Sequence, residues 1–278
     1  MPELPEVQTV VNTLQPHAAG QRIVRVELRR RDVLTPRGID LSAQLTGHQI
    51  QSITRRGKRI VFLLDTGHRF YIHLGMSGQL TVHPPTAAAL PHTHLVLRLS
   101  NTLHLRFRDP RRFGGIFWLG DQPPADNMGP EPLTLRTAQL EKLLSQSRRP
   151  IKSALLDQSL VAGLGNIYVD ESLFAAGIHP LTLAADLSPD QIARLNRSIK
   201  TTLRRAIQLG GSSLRDYFDA DGRPGGFQHR HRVYHRDRQP CIRCKQIIEK
   251  ITLAGRSTHF CPECQPRRPD FFDDRPSG

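Results

Sequence analysis

Four cysteines limit what the end of this chain can become more tightly than any other feature of the sequence. Cys241-x-x-Cys244 and Cys261-x-x-Cys264 are two knuckles separated by sixteen residues. Each knuckle can clamp one side of a tetrahedral ion, and the intervening segment has room for a short hairpin, so the pattern predicts a small zinc-held finger. Two disulfides are the competing reading, but they need an oxidising compartment. The chain opens on an acidic, proline-broken stretch with no basic and then apolar run, so no secretory signal is expected and zinc is preferred. Four thiolates fill a tetrahedral ion, so one structural Zn2+ is expected, with no small-molecule cofactor. Arg236, Arg238, Arg243, Lys245, Lys250 and Arg256 surround the cysteines and give the hairpin a surface suited to a polyanion. Residues 266–278 read as a disordered tail.

Charge points the same way. The 278 residues carry a formal net charge of +14, and an excess of that size favours a polyanionic partner through counterion release. Between Arg22 and Arg59 there are ten Arg/Lys against three acids, Glu27, Asp32 and Asp40, which is more than a solvated face needs. An anionic membrane would call for a basic amphipathic helix, and here the arginines fall on strands, turns and the finger, so nucleic acid is the expected partner and no membrane. No apolar run reaches the ~18 residues of a spanning helix. A cytoplasmic monomer is expected.

At the other end stands Met1-Pro-Glu-Leu-Pro-Glu6. Removal of the initiator Met ahead of Pro2 would leave a secondary amine at the start of the chain. An α-amino group titrates near pH ~7.7–8.0, so part of it is unprotonated near neutrality and can attack an aldehyde-like carbon to give an iminium. Glu3 and Glu6 are candidates to move protons beside it. Val7, Val10, Val11 and Leu14 follow with helical spacing, so this stub is expected to project from a helix start, with Pro5 in the first turn. An ordinary capped helix start is the bland alternative.

The middle of the chain divides by pattern. Eight strand-like runs, at 22–28, 49–53, 59–64, 70–73, 79–82, 94–99, 102–107 and 114–119, predict an antiparallel sandwich or barrel. Pro123-Pro124 and Pro130-Glu-Pro132 break the pattern, and helices are expected at 137–145, 151–157, 168–176 and 189–209. Gly163-Leu-Gly165-Asn166 reads as a tight turn opening a helix, able to offer amides to a phosphate or to serve as a plain connector. Gly210–Phe227, rich in Gly, Ser and Asp, reads as a mobile loop.

Pro2-Glu-Leu-Pro-Glu6, Arg56-Gly-Lys58, His73-Leu-Gly-Met-Ser-Gly78, Asp109-Pro-Arg-Arg-Phe-Gly114, Gly165-Asn-Ile-Tyr168 and the finger together resemble the bacterial formamidopyrimidine-DNA glycosylases, over essentially Pro2 to Gln265. The resemblance implies an α+β chain: an N-terminal antiparallel β-sandwich with a leading helix (residues 1–130), a helix-two-turn-helix domain with a lesion-capping loop (131–235), the zinc finger (236–265) and the tail. It implies a bifunctional glycosylase and abasic-site lyase of base-excision repair, acting on damaged double-stranded DNA. Such an enzyme removes 8-oxoguanine and formamidopyrimidines and cuts the strand by β,δ-elimination.

Carried onto this sequence, the resemblance makes Pro2 the nucleophile at the sugar C1′, Glu3 the proton donor and Glu6 a carboxylate supporting ring opening. Lys58 serves β-elimination and Arg256 grips phosphate and assists δ-elimination, while His92, Arg111, Arg148, Lys152 and Asn166 contact DNA. A base must leave the duplex to be reached, and Met76, Arg111 and Phe113 correspond to the residues that fill the gap. The chain departs from many relatives at Gly226, where an aromatic residue is common, and at Gln8, where Glu is. An endonuclease VIII-like enzyme for oxidised pyrimidines is the nearest alternative, disfavoured by Leu4. A non-enzymatic zinc-finger DNA-binding protein is another, disfavoured by an intact Pro2, Glu3 and Lys58.

Overall fold

The computed structural model describes residues 1–122 and 127–267. Pro123-Pro124, read above as the break between domains, lies outside the described residues, as do residues 268–278 of the expected tail. The chain separates into two compact units, Met1–Met128 with Arg204–His229, and Gly129–Leu203 with Arg230 onward.

The first unit begins with helix α1 (Leu4–Ala18), followed by β1 (Ile23–Leu28), β2 (Leu34–Thr35), α2 (Leu41–Leu45), β3 (Ile50–Arg56), β4 (Arg59–Leu64), β5 (Arg69–His73), β6 (Gln79–His83), β7 (Thr93–Leu99), β8 (His104–Arg108) and β9 (Gly115–Gly120). All eight expected strands form, and each buries apolar residues in the core of the unit. They make two sheets, β1-β7-β8-β6 and β2-β9-β5-β4-β3, antiparallel throughout except for the short β2–β9 pair. Leu80, Leu95, Leu97, Leu105 and Phe107 from one sheet and Ile60, Phe62, Phe70, Ile72 and Ile116 from the other share one core. Val7, Val10, Val11 and Leu14 of α1 complete that core, so the predicted stripe anchors the N-terminal stub to the sheets. Two elements were not anticipated: β2, too short to alternate, and α2, a five-residue helix capped by Asp40, whose carboxylate accepts from the Ser42 and Ala43 amides.

Gly210–Phe227 contains no helix or strand before a 3-10 turn at Phe227–Arg230, in line with its composition, but it is not loose. Ala220 joins the edge of β6 by accepting from the Val82 amide at 2.8 Å and donates to the Thr13 hydroxyl at 3.1 Å. Gln79 Nε2 donates to the Asp216 carbonyl, His17 pairs with Asp221, and Tyr217 and Ala220 enter the core. The expected mobile loop is thus pinned along its length to the first unit.

The second unit holds α3 (Thr137–Ser145), α4 (Ile151–Leu156), α5 (Asn166–Ala176), most of α6 (Pro189–Gln208) and the hairpin β10 (Glu249–Leu253) and β11 (Arg256–Phe260). Ile192, Leu195, Ile199 and Leu203 are buried at helical spacing along α6. Under the finger, Phe174, Val233, Cys241, Ile248 and Cys261 form a small cluster of their own.

Candidate functional site

The start of the chain is held by its own two carboxylates. Pro2 is buried beneath an exposed Met1, and Glu3 is the N-cap of α1. Glu3 and Glu6 form a reciprocal capping box, the Glu3 amide donating to Glu6 Oε2 at 2.8 Å. The other carboxylate oxygen of Glu6 accepts from the Ser212 amide at 2.7 Å, and the Glu6 carbonyl accepts from the Tyr217 hydroxyl. Burial and the nearby Glu6 both push the Tyr217 hydroxyl pKa up, so it remains a donor. Gly211 lies so close that a β-carbon on it would sit 2.8 Å from Glu6 Oε1, and its φ of +78° is one that glycine supplies freely. One buried carboxylate therefore fixes both the peptide that follows Pro2 and the root of the 210–227 loop.

Lys58 is presented by the two-residue turn between β3 and β4, where Gly57 takes φ +56°. Arg55 braces that turn, donating to the Gly57 carbonyl and to Gln8 Oε1, each at 2.9 Å. A neutral Gln8 suffices here, since the Arg55 Nε needs one acceptor, while the Gln8 amide donates to Asn12. Lys58 itself is buried, and burial followed by the Lys58 charge holds His73 below its ordinary pKa. A neutral His73 accepts the Gly75 amide at Nδ1, 3.1 Å away.

Met76 and Phe113 are exposed, at 41% and 62%, so neither side chain is part of the core. Met76 sits on the turn between β5 and β6, and Arg111 and Phe113 on the turn between β8 and β9, with the Arg111 guanidinium 6.0 Å from the centre of the Phe113 ring. The two turns touch backbone to backbone. A β-carbon on Gly75, whose φ is +60°, would lie 2.4 Å from the Gly114 nitrogen. His92, also exposed, precedes β7 at φ +66° and lends its carbonyl to the Asp109 amide at 3.1 Å.

In the second unit the expected residues separate into exposed and buried ones. Arg148 is exposed after α3, and Arg256 is exposed where Ala254 and Gly255, both at positive φ, turn β10 into β11. Lys152 is wholly buried: its ammonium donates to Asp170 Oδ1 at 2.6 Å and to the Ser257 carbonyl at 2.8 Å. Asn166, at the first turn of α5, donates to the same carbonyl at 2.9 Å, while its Oδ1 has no partner among the described residues. Asp170 Oδ2 accepts the His259 amide, and Glu171 accepts three successive amides, those of Arg232, Val233 and Tyr234.

The four cysteine sulfurs fit a tetrahedral ion. All lie within 4.8 Å of one another, with separations of 3.4, 3.5 and 3.8 Å for three of the pairs. A tetrahedron of sulfurs at about 2.3 Å from zinc has edges of about 3.8 Å.

Sequence reasoning did not single out Asp109, Ser77, Ser212, Tyr217, Asp170, Glu171 or Ser257. Most of their bonds run to or from backbone atoms, and the Lys152–Asp170 and Ser77–Asp109 bonds join residues far apart in the chain, so none leaves a trace in composition or spacing, although Ser77 and Asp109 lie inside motifs quoted for their neighbours. A cavity of about 880 Å3 lined by Arg31, Asp32, Arg37 and Asp40 touches none of the expected site residues. A smaller one, about 420 Å3, is lined by Arg30, His92 and Arg112.

Residues 1–116 match the formamidopyrimidine-DNA glycosylase N-terminal domain, 128–217 the formamidopyrimidine-DNA glycosylase H2TH domain, and 238–267 the zinc finger found in FPG and IleRS. The chain is 44% identical to the formamidopyrimidine-DNA glycosylase of Dinoroseobacter shibae, across 95% of this chain and all of that one. A Lactococcus lactis FPG variant solved with DNA containing Fapy-dG superposes with a TM-score of 0.88 at 37% identity, covering 96% of this chain and all of that one. MutM solved with DNA containing carbocyclic 8-oxo-G gives a TM-score of 0.88 at 38% identity, with the same coverage.

Proposed function

The chain belongs to the formamidopyrimidine-DNA glycosylase family, and from that premise we propose that its Pro2 amine is the nucleophile of the reaction. The protein is a base-excision-repair glycosylase for oxidised purines with abasic-site lyase activity, its partner is damaged DNA, and its finger holds one structural zinc on Cys241, Cys244, Cys261 and Cys264. The zinc fixes the fold of the finger, and no step of the reaction passes through it.

Once Met1 is removed, the Pro2 nitrogen attacks C1′ of the flipped nucleotide, and the bond from C1′ to the damaged base breaks. The departing base takes the pair of the broken bond. The Pro2 nitrogen gives up its N–H proton, and the nitrogen pair so freed forms the iminium as the C1′–O4′ bond opens, with Glu3 supplying the proton to O4′ and Glu6 supporting the ring opening. A secondary amine yields an iminium with no N–H to lose, so the electron sink persists. Loss of the C2′ proton expels the 3′ phosphate, with Lys58 serving this step, and a second elimination assisted by Arg256 expels the 5′ phosphate. The observation that carries this reading is the Glu6 carboxylate, which accepts the Glu3 amide and the Ser212 amide together. That arrangement supports Glu6 as the group that holds the nucleophile in place beside the loop proposed to cover the base.

His92, Arg148 and Asn166 are proposed as DNA contacts, and Lys152, being buried, as a group that acts on DNA only through what it holds. Met76, Arg111 and Phe113 are proposed to fill the gap left by the flipped base. The same reading divides the chain into a catalytic β domain, a helical domain and the finger, with the capping loop, expected in the helical domain, grouped with the β unit because its bonds run to α1 and β6. Its DNA substrate puts the proposed place of action in the cytoplasm, on the nucleoid.

Borohydride trapping on a duplex carrying 8-oxoguanine tests the nucleophile. Protein with a processed terminus is expected to give a covalent adduct that peptide mapping places on Pro2. Protein with a verified blocked terminus is expected to give none while still binding lesion DNA. An adduct on Lys58 or Lys152, or full activity from the blocked protein, would falsify the assignment.

A further inference from the structure

The three proposed gap-filling side chains come from two different turns, yet to enter a duplex together they must keep a fixed spacing. Neither turn is regular structure, and exposed side chains of this kind lose several rotors' worth of freedom on insertion. Something must therefore hold the two turns as one body.

Asp109 has the geometry to do so. It is fully buried between the turns, and every polar group it has is engaged. Oδ1 accepts from the Ser77 hydroxyl at 2.5 Å, beside Met76, and Oδ2 accepts from the Gly114 amide at 2.7 Å, beside Phe113. The Ser77 oxygen in turn accepts from the Arg111 amide at 3.2 Å, so a single hydroxyl bridges the turn of Met76 to the backbone of Arg111. The Asp109 amide donates to the His92 carbonyl at 3.1 Å, and the Asp109 carbonyl accepts from His94 Nε2 at 2.8 Å. The glycines make this closeness possible. A β-carbon on Gly114 would lie 2.5 Å from the His73 carbonyl oxygen, and one on Gly78 would lie 2.2 Å from that of Leu74.

We infer that Asp109 and Ser77 are positioning residues for the opposite-base check: the Asp109 carboxylate, through the Ser77 hydroxyl, locks the Met76 turn to the Arg111–Phe113 turn, so that the Arg111 guanidinium meets the orphaned base at a set depth. The inference rests on the proposed role of Arg111. Asp109 touches no DNA in this account and acts only through the backbone it holds. A base-edge hydrogen bond is lost when its donor swings away, so slackening the lock costs discrimination between opposite bases before it costs affinity for DNA, which phosphate contacts supply.

Ser77→Ala is the sharpest probe, because it deletes both bridging bonds and leaves the Gly114 arm of Asp109 in place. The measurement is the single-turnover excision rate of 8-oxoguanine opposite each of the four bases, in the full zinc-loaded protein. The ratio between the best and the worst opposite base is expected to fall at least threefold in Ser77→Ala and to return in Ser77→Thr, which keeps the hydroxyl. Adding Ser77→Ala to Arg111→Ala is expected to change the ratio no further than Arg111→Ala alone. An equal loss against all four bases in Ser77→Ala, or a ratio that stays at the wild-type value, overturns the lock while leaving the role of Arg111 standing if Arg111→Ala still flattens the ratio. If Arg111→Ala itself leaves the ratio unchanged, the role of Arg111 fails and the lock with it.

Discussion

The turns around Arg111 and the hairpin that carries Arg256 each set an exposed arginine at or beside a tight turn between strands, and they are held in different ways. The turns of Met76 and Arg111 leave strands whose ends are already fixed by two sheets and a shared core, so one carboxylate and three close-packed glycines are enough to join them. The finger has no such support. Among the described residues its own cluster consists of Phe174, Val233, Ile248, Cys241 and Cys261, with Cys264 packed against it, and a segment this short cannot bury enough apolar surface to order itself. It is held by a metal site, by the buried Lys152–Asp170 pair behind Ser257, and by Glu171 beneath residues 232–234. The lesson is one of failure mode: damage to the turns stays local, whereas the finger is lost as a whole.

The most severe way to break this comparison is to remove the metal. Structural zinc contributes ~10–16 kcal/mol of apparent binding free energy in small fingers, so Cys241→Ser is expected to lose zinc, unfold the β10–β11 hairpin and abolish lesion cleavage. Metal content, hydrogen exchange across residues 238–267 and cleavage are the readouts. A zinc-free variant that cuts lesion DNA at the wild-type rate would show that the finger is dispensable.

Next in size is the buried ion pair. Lys152→Met takes the ammonium from Asp170 and leaves its charge in a site with no exposure, held among the described residues only by His259, and breaking a buried pair in this way typically costs ~3–5 kcal/mol. Denaturant unfolding of the zinc-loaded protein should show it, and the double variant Lys152→Met, Asp170→Asn should recover most of the loss, because the stranded charge is gone. If Lys152→Met is as stable as wild type but binds DNA weakly, the ammonium acts on phosphate in another conformation and not as a buried brace.

Much of this architecture was legible in the residues. Strand-like apolar runs between turns, with strict alternation at 22–28, gave all eight strands, and the helical spacing of Val7, Val10, Val11 and Leu14 gave α1. The spacing of the cysteines gave a cluster the structure closes to within 4.8 Å. What was not legible shares a physical cause. Lys152 has the composition of a phosphate contact, and only the fold reveals that Asp170, eighteen positions away, takes its charge inside. The 210–227 segment has the composition of a mobile loop, and the restraints that pin it, from loop amides to Glu6 and Thr13 and from Gln79 to the Asp216 carbonyl, are ones that no local pattern records. Glu6 was recognisable as a carboxylate near Pro2. That it spends both oxygens on backbone amides was not.

The smallest effect is also the one that isolates the close approach of the two turns. Gly75 and Gly67 both have positive φ, +60° and +83°, so alanine at either position carries a backbone penalty of ~1–3 kcal/mol. Their surroundings differ. A β-carbon on Gly67, in the β4–β5 turn, meets nothing within 4 Å, whereas one on Gly75 meets the Gly114 nitrogen and the Phe113 carbonyl carbon, both at 2.4 Å. Neither neighbour is a flexible side-chain tip, so the turns must part. Overpacking of that kind adds ~1–3 kcal/mol. Gly75→Ala should therefore unfold at lower denaturant than Gly67→Ala by roughly that margin, and it alone should flatten the opposite-base ratio, because separating Gly75 from Gly114 separates Met76 from Phe113. Equal stability for the two variants would mean that the turns yield without cost, and the contact between them would then carry none of the rigidity assigned to it.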